Sequence, residues 1–125
     1  DELCANLAAL RAHLPPRGGR RPVLAVHCVF TDRVVDGIAD LVRWAAREEL
    51  DTVALVNWLE YPALDPAFVL RHPAHVDATH ATRRIDEARE VARELGVDFH
   101  VMAGLDAELA AGLERERRSR AHRGI

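Results

Sequence analysis

The stretch from Val23 to Trp58 constrains the fold of this chain more than any other part of the sequence. It reads as an apolar run, VLAVHCVF, then a helical pattern, TDRVVDGIADLVRWAAREEL, then a second apolar run, DTVALVNW. Parallel strands are covered on both faces and are therefore apolar throughout, whereas a helix shows apolar residues three and four positions apart. The pattern predicts a buried parallel β-α-β unit. Because both faces of each strand are apolar, the sequence does not assign the face that lines a cavity.

The rest of the chain continues this alternation. Turn residues and hydrophobic spacing predict helices at 2–14, 34–49, 81–95 and 107–120, strands at 23–30, 52–59 and 97–102, and a long loop at 60–80 with a short helix near Pro66–Leu70. Gly96 is expected to end the third helix and Asp106 to cap the fourth. We expect residues 1–125 to form a single α/β segment with parallel strands and a frayed basic tail at 115–125.

Composition narrows the class of protein. A chain of 125 residues, of which 49% are apolar, is long enough for one core and too hydrophobic to be disordered. It has no apolar run near the ~20 residues that span a bilayer and no signal-peptide pattern, so a cytoplasmic location is expected. The net charge of −3 gives no general attraction to nucleic acid. Three strands leave two open sheet edges, which suggests that neighbouring strands or a partner chain cover them.

Several features of the sequence limit the chemistry. The chain contains no lysine, so none of its residues can form a Schiff base. Its two cysteines, Cys4 and Cys28, are expected to be small buried hydrophobes rather than a disulfide. There is no Ser/His/Asp pattern or paired-carboxylate motif. Gly18-Gly19 precedes a strand rather than a helix, which is the wrong context for a phosphate-binding loop.

Several segments follow a recognisable order of apolar and turn residues. They are the leading helix with Asn6, Leu7 and Leu10; Arg21-Pro22-Val23 before the first strand; Val29-Phe30-Thr31 at its end; Leu41-Val42-Arg43-Trp44-Ala45 in the next helix; Asp51-Thr52-Val53 entering the second strand; and AREVARELGVDF from Ala88 to Phe99. Over roughly residues 5–103 this order resembles the C-terminal half of the partial (βα)6 barrel of radical S-adenosylmethionine enzymes. Generic (βα) repeats of other barrels share much of the pattern.

The resemblance implies part of a TIM-like barrel with three strands and about four helices, and S-adenosylmethionine and a [4Fe–4S] cluster as cofactors. The cluster of that family is held by a CxxxCxxC loop, which this chain lacks. The resemblance therefore implies that the cluster strands lie upstream, with a cysteine-rich C-terminal extension as a further option. The chain alone should be inactive. Its expected partners are a small-molecule or peptide substrate, and either the missing N-terminal barrel strands or a partner chain at the sheet edge.

Candidate binding residues lie where the strands end, since ligands of barrels and open α/β sheets bind beyond the carboxyl ends of strands. By resemblance, the two leading strand ends line the adenine and methionyl parts of S-adenosylmethionine. The candidates are His27, Val29, Thr31, Asn57, Trp58, Leu59 and Tyr61. No catalytic residue and no metal ligand is assigned.

Each candidate also has a structural interpretation. His27 fits a core histidine as well as a reactive one. An inward amide at Asn57 needs a hydrogen-bond partner, which could be a substrate, a cofactor or a neighbouring backbone group. Trp58 and Tyr61 could stack on adenine or simply pack. If Asn57 contacts a ligand, Asn57→Ala should weaken S-adenosylmethionine or substrate binding without unfolding the domain.

Three further functions stay open. His72, His75 and His80, with Asp77 between them, could ligate zinc in a metal-dependent hydrolase barrel, close over a substrate, or be solvated. The basic run Arg115–Arg123 could grip a phosphate backbone or be a solvated end, and nucleic acid is the less favoured of the two. The main alternative to a radical enzyme is a stand-alone α/β binding or interaction module that pairs through an exposed sheet edge.

Overall fold

The structure is a computed structural model that describes residues 1–15, 21–58 and 70–123. Within these residues, three strands and five α-helices occur. The helices are α1 (Glu2–Ala12), α2 (Ile38–Arg47), α3 (Pro73–Val76), α4 (Ala78–Leu95) and α5 (Ala103–His122); the strands are β1 (Ala25–Val29), β2 (Thr52–Val56) and β3 (Asp98–Val101). A 3₁₀ turn, Val35–Gly37, precedes α2.

The three strands form one parallel sheet in the order β1-β2-β3. In the middle of the sheet His27 is aligned with Ala54, and Ala54 with His100. The strands are therefore adjacent in the same order as in the sequence. This confirms the predicted α/β class with parallel strands. The structure has five helices rather than about four because α3 forms inside the predicted loop.

One face of the sheet is covered by helices. Val53 and Leu55 of β2 are fully buried. They belong to one hydrophobic cluster with residues from the helices that flank the sheet, including Val42 of α2 and Ile85 and Ala88 of α4. Helices α2 and α4 also pack directly on each other. Both helices therefore lie on the same side of the sheet.

The opposite face carries exposed side chains. His27 and Val29 of β1 and His100 of β3 are exposed on it. Ala54, between the two histidines, is the buried centre of this face but does not belong to the main core cluster. No helix of residues 1–15, 21–58 and 70–123 contributes to a core on this side. We call it the open face, and the side occupied by Val53 and Leu55 the covered face.

The starts of β1 and β2 are joined by an ion pair. Arg21 Nη2 donates to Asp51 Oδ1 at 3.2 Å, and Asp51 Oδ2 accepts from the backbone N–H of Leu24 at 2.8 Å. Both charged residues belong to the sequence pattern that resembles radical S-adenosylmethionine enzymes. In this chain, these positions fix the register at the amino ends of the two strands.

The segment before α4 is more helical than predicted. His80 lies in α4 rather than in a loop, because Asp77 accepts from the backbone N–H of His80 at 2.9 Å and starts the helix three residues earlier than expected. His72 caps α3 in the same region. The predicted loop 60–80 is therefore wrong for its last part. Residues 59–69, with most of the predicted short helix, lie outside the described residues.

The two ends of the chain also differ from expectation. Helix α1 buries no residue, and its Leu3 and Leu10 are exposed. Instead, Arg11 ties α1 to the end of α2, through Glu48 and Glu49. At the other end, the predicted frayed tail is helical as far as His122.

The caps are as predicted at Gly96 and not at Asp106. Gly96 ends α4 with a φ of 73°, the left-handed conformation that favours glycine. Helix α5 starts at Ala103, so Asp106 lies in its first turn, where a carboxylate interacts well with the helix dipole. The predicted strands are each longer than those of the structure; β2, for example, ends at Val56, before Asn57.

None of the helices in the described part of the chain is long and apolar enough to cross a membrane.

Candidate functional site at the strand ends

The predicted site residues fall into two groups. His27 and Val29 lie on the open face of β1, whereas Thr31, Asn57 and Trp58 follow the ends of β1 and β2. Leu59 and Tyr61 lie outside the described residues. The structure therefore brings part of the predicted set to the carboxyl edge of the sheet, and leaves His27 in the middle of a strand.

Asn57 is held by a buried histidine. His72 Nε2 lies 2.7 Å from Asn57 Oδ1, and His72 Nδ1 accepts from the backbone N–H of Ala74 at 3.1 Å. An imidazole whose Nδ1 accepts a hydrogen bond carries its proton on Nε2, so His72 donates to Asn57. The His72 side chain is 1% exposed and meets the ring of Phe30 edge-on. The Asn57 partner is thus a side chain, which none of the sequence-based alternatives included.

The other end of the Asn57 amide faces α5. A Cβ at Gly104 would lie 3.2 Å from Asn57 Nδ2, which is tighter than ordinary packing. Glycine at this position therefore allows the first turn of α5 to approach the amide. Asn57 consequently connects β2, the segment around His72 and the start of α5.

Trp58 closes the end of β1. Its indole Nε1 donates to the backbone carbonyl of Phe30 at 2.7 Å. This hydrogen bond satisfies the polar atom of the ring and fixes its direction across the strand ends. The indole is half-buried, so part of its surface remains accessible.

A second connection runs from the end of β1 to the residue before His72. The backbone N–H of Asp32 donates to the carbonyl of Arg71 at 2.9 Å, and Asp32 Oδ1 accepts from the backbone N–H of Arg71 at 3.1 Å. Residues 71–72 are therefore attached to the ends of both β1 and β2. We call this group, Phe30, Asp32, Asn57, Trp58 and His72, the strand-end junction.

The open face carries a row of two histidines. His27 and His100 are aligned on either side of Ala54, so two strand spacings, roughly 9.5 Å, separate their backbones. His100 Nε2 lies 2.9 Å from Asp98 Oδ2 on the same strand. Sequence reasoning considered His27 but not His100. The sequence alone could not place His100 beside His27, because that alignment depends on how β3 pairs with β2.

The three histidines considered as zinc ligands point to separate partners. His72 binds Asn57, His75 Nε2 lies 3.4 Å from Glu108, and His80 Nε2 lies 2.6 Å from Asp36. Across residues 1–15, 21–58 and 70–123 there is no group of three or more His, Cys, Asp or Glu side chains that could hold a metal ion. The rings of His72 and His75 lie close together, with centroids 5.3 Å apart, whereas His80 lies in α4 and pairs with Asp36.

The cysteines do not fit an iron–sulfur cluster. Both are free, half-buried thiols, and the whole chain contains only these two. Burial raises the pKa of the Cys28 thiol, which lowers the fraction of the thiolate form that ligates iron. Its Sγ lies 3.7 Å from the carbonyl of Val29. The residues of this chain thus cannot supply the three-thiolate set of the resembling family.

Comparison with known proteins adds no relationship, since no family model, curated protein or solved structure matches the chain.

Proposed function

We propose that this chain forms the C-terminal part of the catalytic partial barrel of a radical S-adenosylmethionine enzyme. The observation that carries the proposal is the one-sided sheet: three parallel strands adjacent in chain order, with helices α2 and α4 on one face and exposed side chains on the other. In doubly wound sheets the strand order reverses and helices cover both faces. A barrel keeps sequential order and has its helices outside, so the wall of a barrel accounts for both features.

In this proposal the open face lines the barrel cavity. Val29 and the two histidines are exposed on it, and the small Ala54 lies between His27 and His100. The apolar floor limits water, and the imidazoles offer hydrogen bonds to a polar substrate. Helix-covered residues such as Leu55 keep the wall rigid behind it.

S-adenosylmethionine, when bound, supplies the 5′-deoxyadenosyl radical with which the family's chemistry begins. The side chains of this chain that could contact it are His27 and Val29 on the open face and the accessible part of the Trp58 indole. Thr31 is almost fully buried and would shape the end of β1 rather than bind a ligand. Asn57 would position the strand ends through its hydrogen bond to His72. The cluster ligands would have to come from residues outside this chain.

The test uses the intact protein that contains this chain, reconstituted with iron and sulfide. We expect a CxxxCxxC loop encoded upstream, cluster absorbance after reconstitution, and calorimetric binding of S-adenosylmethionine. Within that protein, Val29→Trp should abolish binding, because the indole would fill the cavity wall at an open-face position that is 49% exposed. Leu95→Trp is the matched control, since Leu95 is 48% exposed but lies at the end of α4.

Three results would overturn the proposal: a coding region without cluster cysteines, a reconstituted protein without cluster absorbance, or equal binding by the Val29→Trp and Leu95→Trp variants. A monomeric protein limited to these 125 residues, with no cysteine motif in the flanking coding sequence, would instead favour a stand-alone α/β interaction module.

A further inference from the structure

A polar cavity of about 510 Å³ lies between the start of α4 and the end of α5. Its walls include three arginines, Arg83 from α4 and Arg120 and Arg123 from the end of α5. No carboxylate in the described part of the chain lies within ion-pair distance of these three side chains. Three arginines without a direct ion pair therefore line one cavity, together with the carboxylates of Asp77 and Glu116.

The two acidic side chains of the cavity already have partners. Both oxygens of Glu116 accept hydrogen bonds from the start of α4, from the backbone N–H groups of Ala78 and Thr79 and from the Thr79 hydroxyl. Asp77 accepts from the backbone N–H of His80 as the helix cap. The acids thus hold α4 against α5 and satisfy its first amides, and their hydrogen-bonding capacity is not directed at the arginines.

The other arginines of α5 behave differently. Arg117 and Arg118 both bind Glu114, and Arg115 donates to the carbonyl of Ala74. The basic run at the end of the chain is therefore divided into a paired set and an unpaired set. Arg120 and Arg123 are three positions apart, which places them on one side of the helix, roughly 5–6 Å apart at their Cβ atoms.

The helix dipole explains the positions of only two of the three cavity arginines. Cations near the C-terminus of α5 interact favourably with its dipole, which accounts for Arg120 and Arg123. Arg83 lies near the opposite end of its own helix, where the dipole gives a cation no benefit. All three side chains are exposed, and a ligand that carries negative charge would interact favourably with each of them.

We propose that this cavity binds a phosphorylated small molecule, with Arg83, Arg120 and Arg123 on its phosphate groups. Guanidinium groups match phosphate oxygens in a planar two-point geometry, and three of them favour a ligand with at least two negative charges. The hydroxyl of Ser119, on the same wall, adds a donor. The volume suits a ligand of nucleotide size. The proposal does not depend on the radical chemistry proposed above.

Calorimetric titration of the intact protein with inorganic pyrophosphate tests the site. We expect saturable binding that is weakened at least tenfold by Arg120→Gln and by Arg83→Gln. Arg117→Gln is the matched control, because it removes the same charge from the same helix but from an arginine that pairs with Glu114. The control should bind pyrophosphate within twofold of the unaltered protein, and circular dichroism should show equal helix content in all variants.

The proposal fails if pyrophosphate does not saturate, or if Arg117→Gln weakens binding as much as Arg120→Gln, since the effect would then follow net charge alone. A single-stranded RNA that binds more tightly than pyrophosphate, with an affinity that falls steeply with salt, would also overturn it in favour of a nucleic-acid surface.

Discussion

The two faces of the sheet differ in polarity and in their surroundings. On the covered face Val53 and Leu55 are fully buried under α2 and α4. On the open face Val29 is half-exposed and the two histidines flank a single alanine. The faces therefore differ in hydrophobicity, because the covered face carries aliphatic side chains such as Val53 and Leu55 and the open face carries two histidines. Large aliphatic groups fill the space under the helices.

This difference implies that the two faces have different tasks. The covered face supplies the apolar burial that holds the fold. The open face contributes little to that burial and is available for a ligand or for closure by neighbouring strands. Substitutions on the covered face should therefore lower the free energy of unfolding more than substitutions on the open face.

The largest effect is expected at Leu55. Leu55→Ala should lower the free energy of unfolding by roughly 2 to 5 kcal/mol, because it removes a fully buried side chain and leaves a cavity. Val29→Ala should lower it by less than about 1 kcal/mol, because half of that side chain is already in water. Urea denaturation measures both values. Equal losses would mean that the open face is packed in solution, and the comparison of the two faces would be wrong.

The helical layer behind the covered face depends on Gly112. A Cβ there would lie 2.6 Å from the carbonyl oxygen of Ala74 and 2.7 Å from the Cβ of Ala78. Gly112→Ala should therefore push α5 away from α3 and α4 and lower the unfolding free energy by roughly 1 to 3 kcal/mol. Gly37→Ala is the control, since nothing lies within 4 Å of a Cβ at that position. A Gly112→Ala variant as stable as Gly37→Ala would show that α5 is not closely packed.

The strand-end junction lies at the border of the two faces and should show an intermediate effect. Asn57→Ala leaves the N–H of the buried His72 without its partner, so we expect a loss of about 1 to 2 kcal/mol. The variant should therefore lose stability in addition to the weaker ligand binding that we expected from the sequence. A double-mutant cycle with His72→Phe should give a coupling of at least about 0.5 kcal/mol in thermal or urea unfolding. Additive effects would mean that the two side chains do not interact.

The smallest effect is expected on the solvent side of α5, away from both faces. Hydrogen bonds from Arg117 and then Arg118 lower the pKa of Glu114 from 4.5 to about 2. A carboxyl with a lower pKa in the folded state adds stability above its unfolded pKa, and loses it as the pH falls from about 4.5 towards about 2. Titration of the Glu114 carboxyl by NMR should show the low midpoint, and Arg117→Gln should raise it. An unchanged midpoint in that variant would rule out Arg117 as the main cause.

Strand positions were readable from the sequence because each strand is a short, largely apolar run between turn residues. Because these runs are largely apolar, the sequence did not show which face the helices cover. The residues just before α4 were harder to predict. Three prolines and three histidines between 60 and 80 suggested a loop. Instead, Asp77 caps a helix, and Glu116, which is distant in the sequence, accepts hydrogen bonds from the first backbone amides of that helix. Asp77 is a local cap, whereas the hydrogen bonds to Glu116 involve another helix and have no local signal.

The candidate site was predictable only in part, because its contacts join residues that are distant in the sequence. Polar residues at strand ends identify Asn57, but its pairing with His72 depends on where the intervening segment returns to the sheet.

By itself, the sequence determined the α/β class, the parallel strands and the left-handed glycine that ends α4, because these follow from local periodicity and backbone conformation. Tertiary structure alone decided which face of the sheet is covered, which arginines are unpaired and which histidine holds Asn57. Those outcomes depend on contacts between residues far apart in the chain, and local patterns carry no information about such contacts.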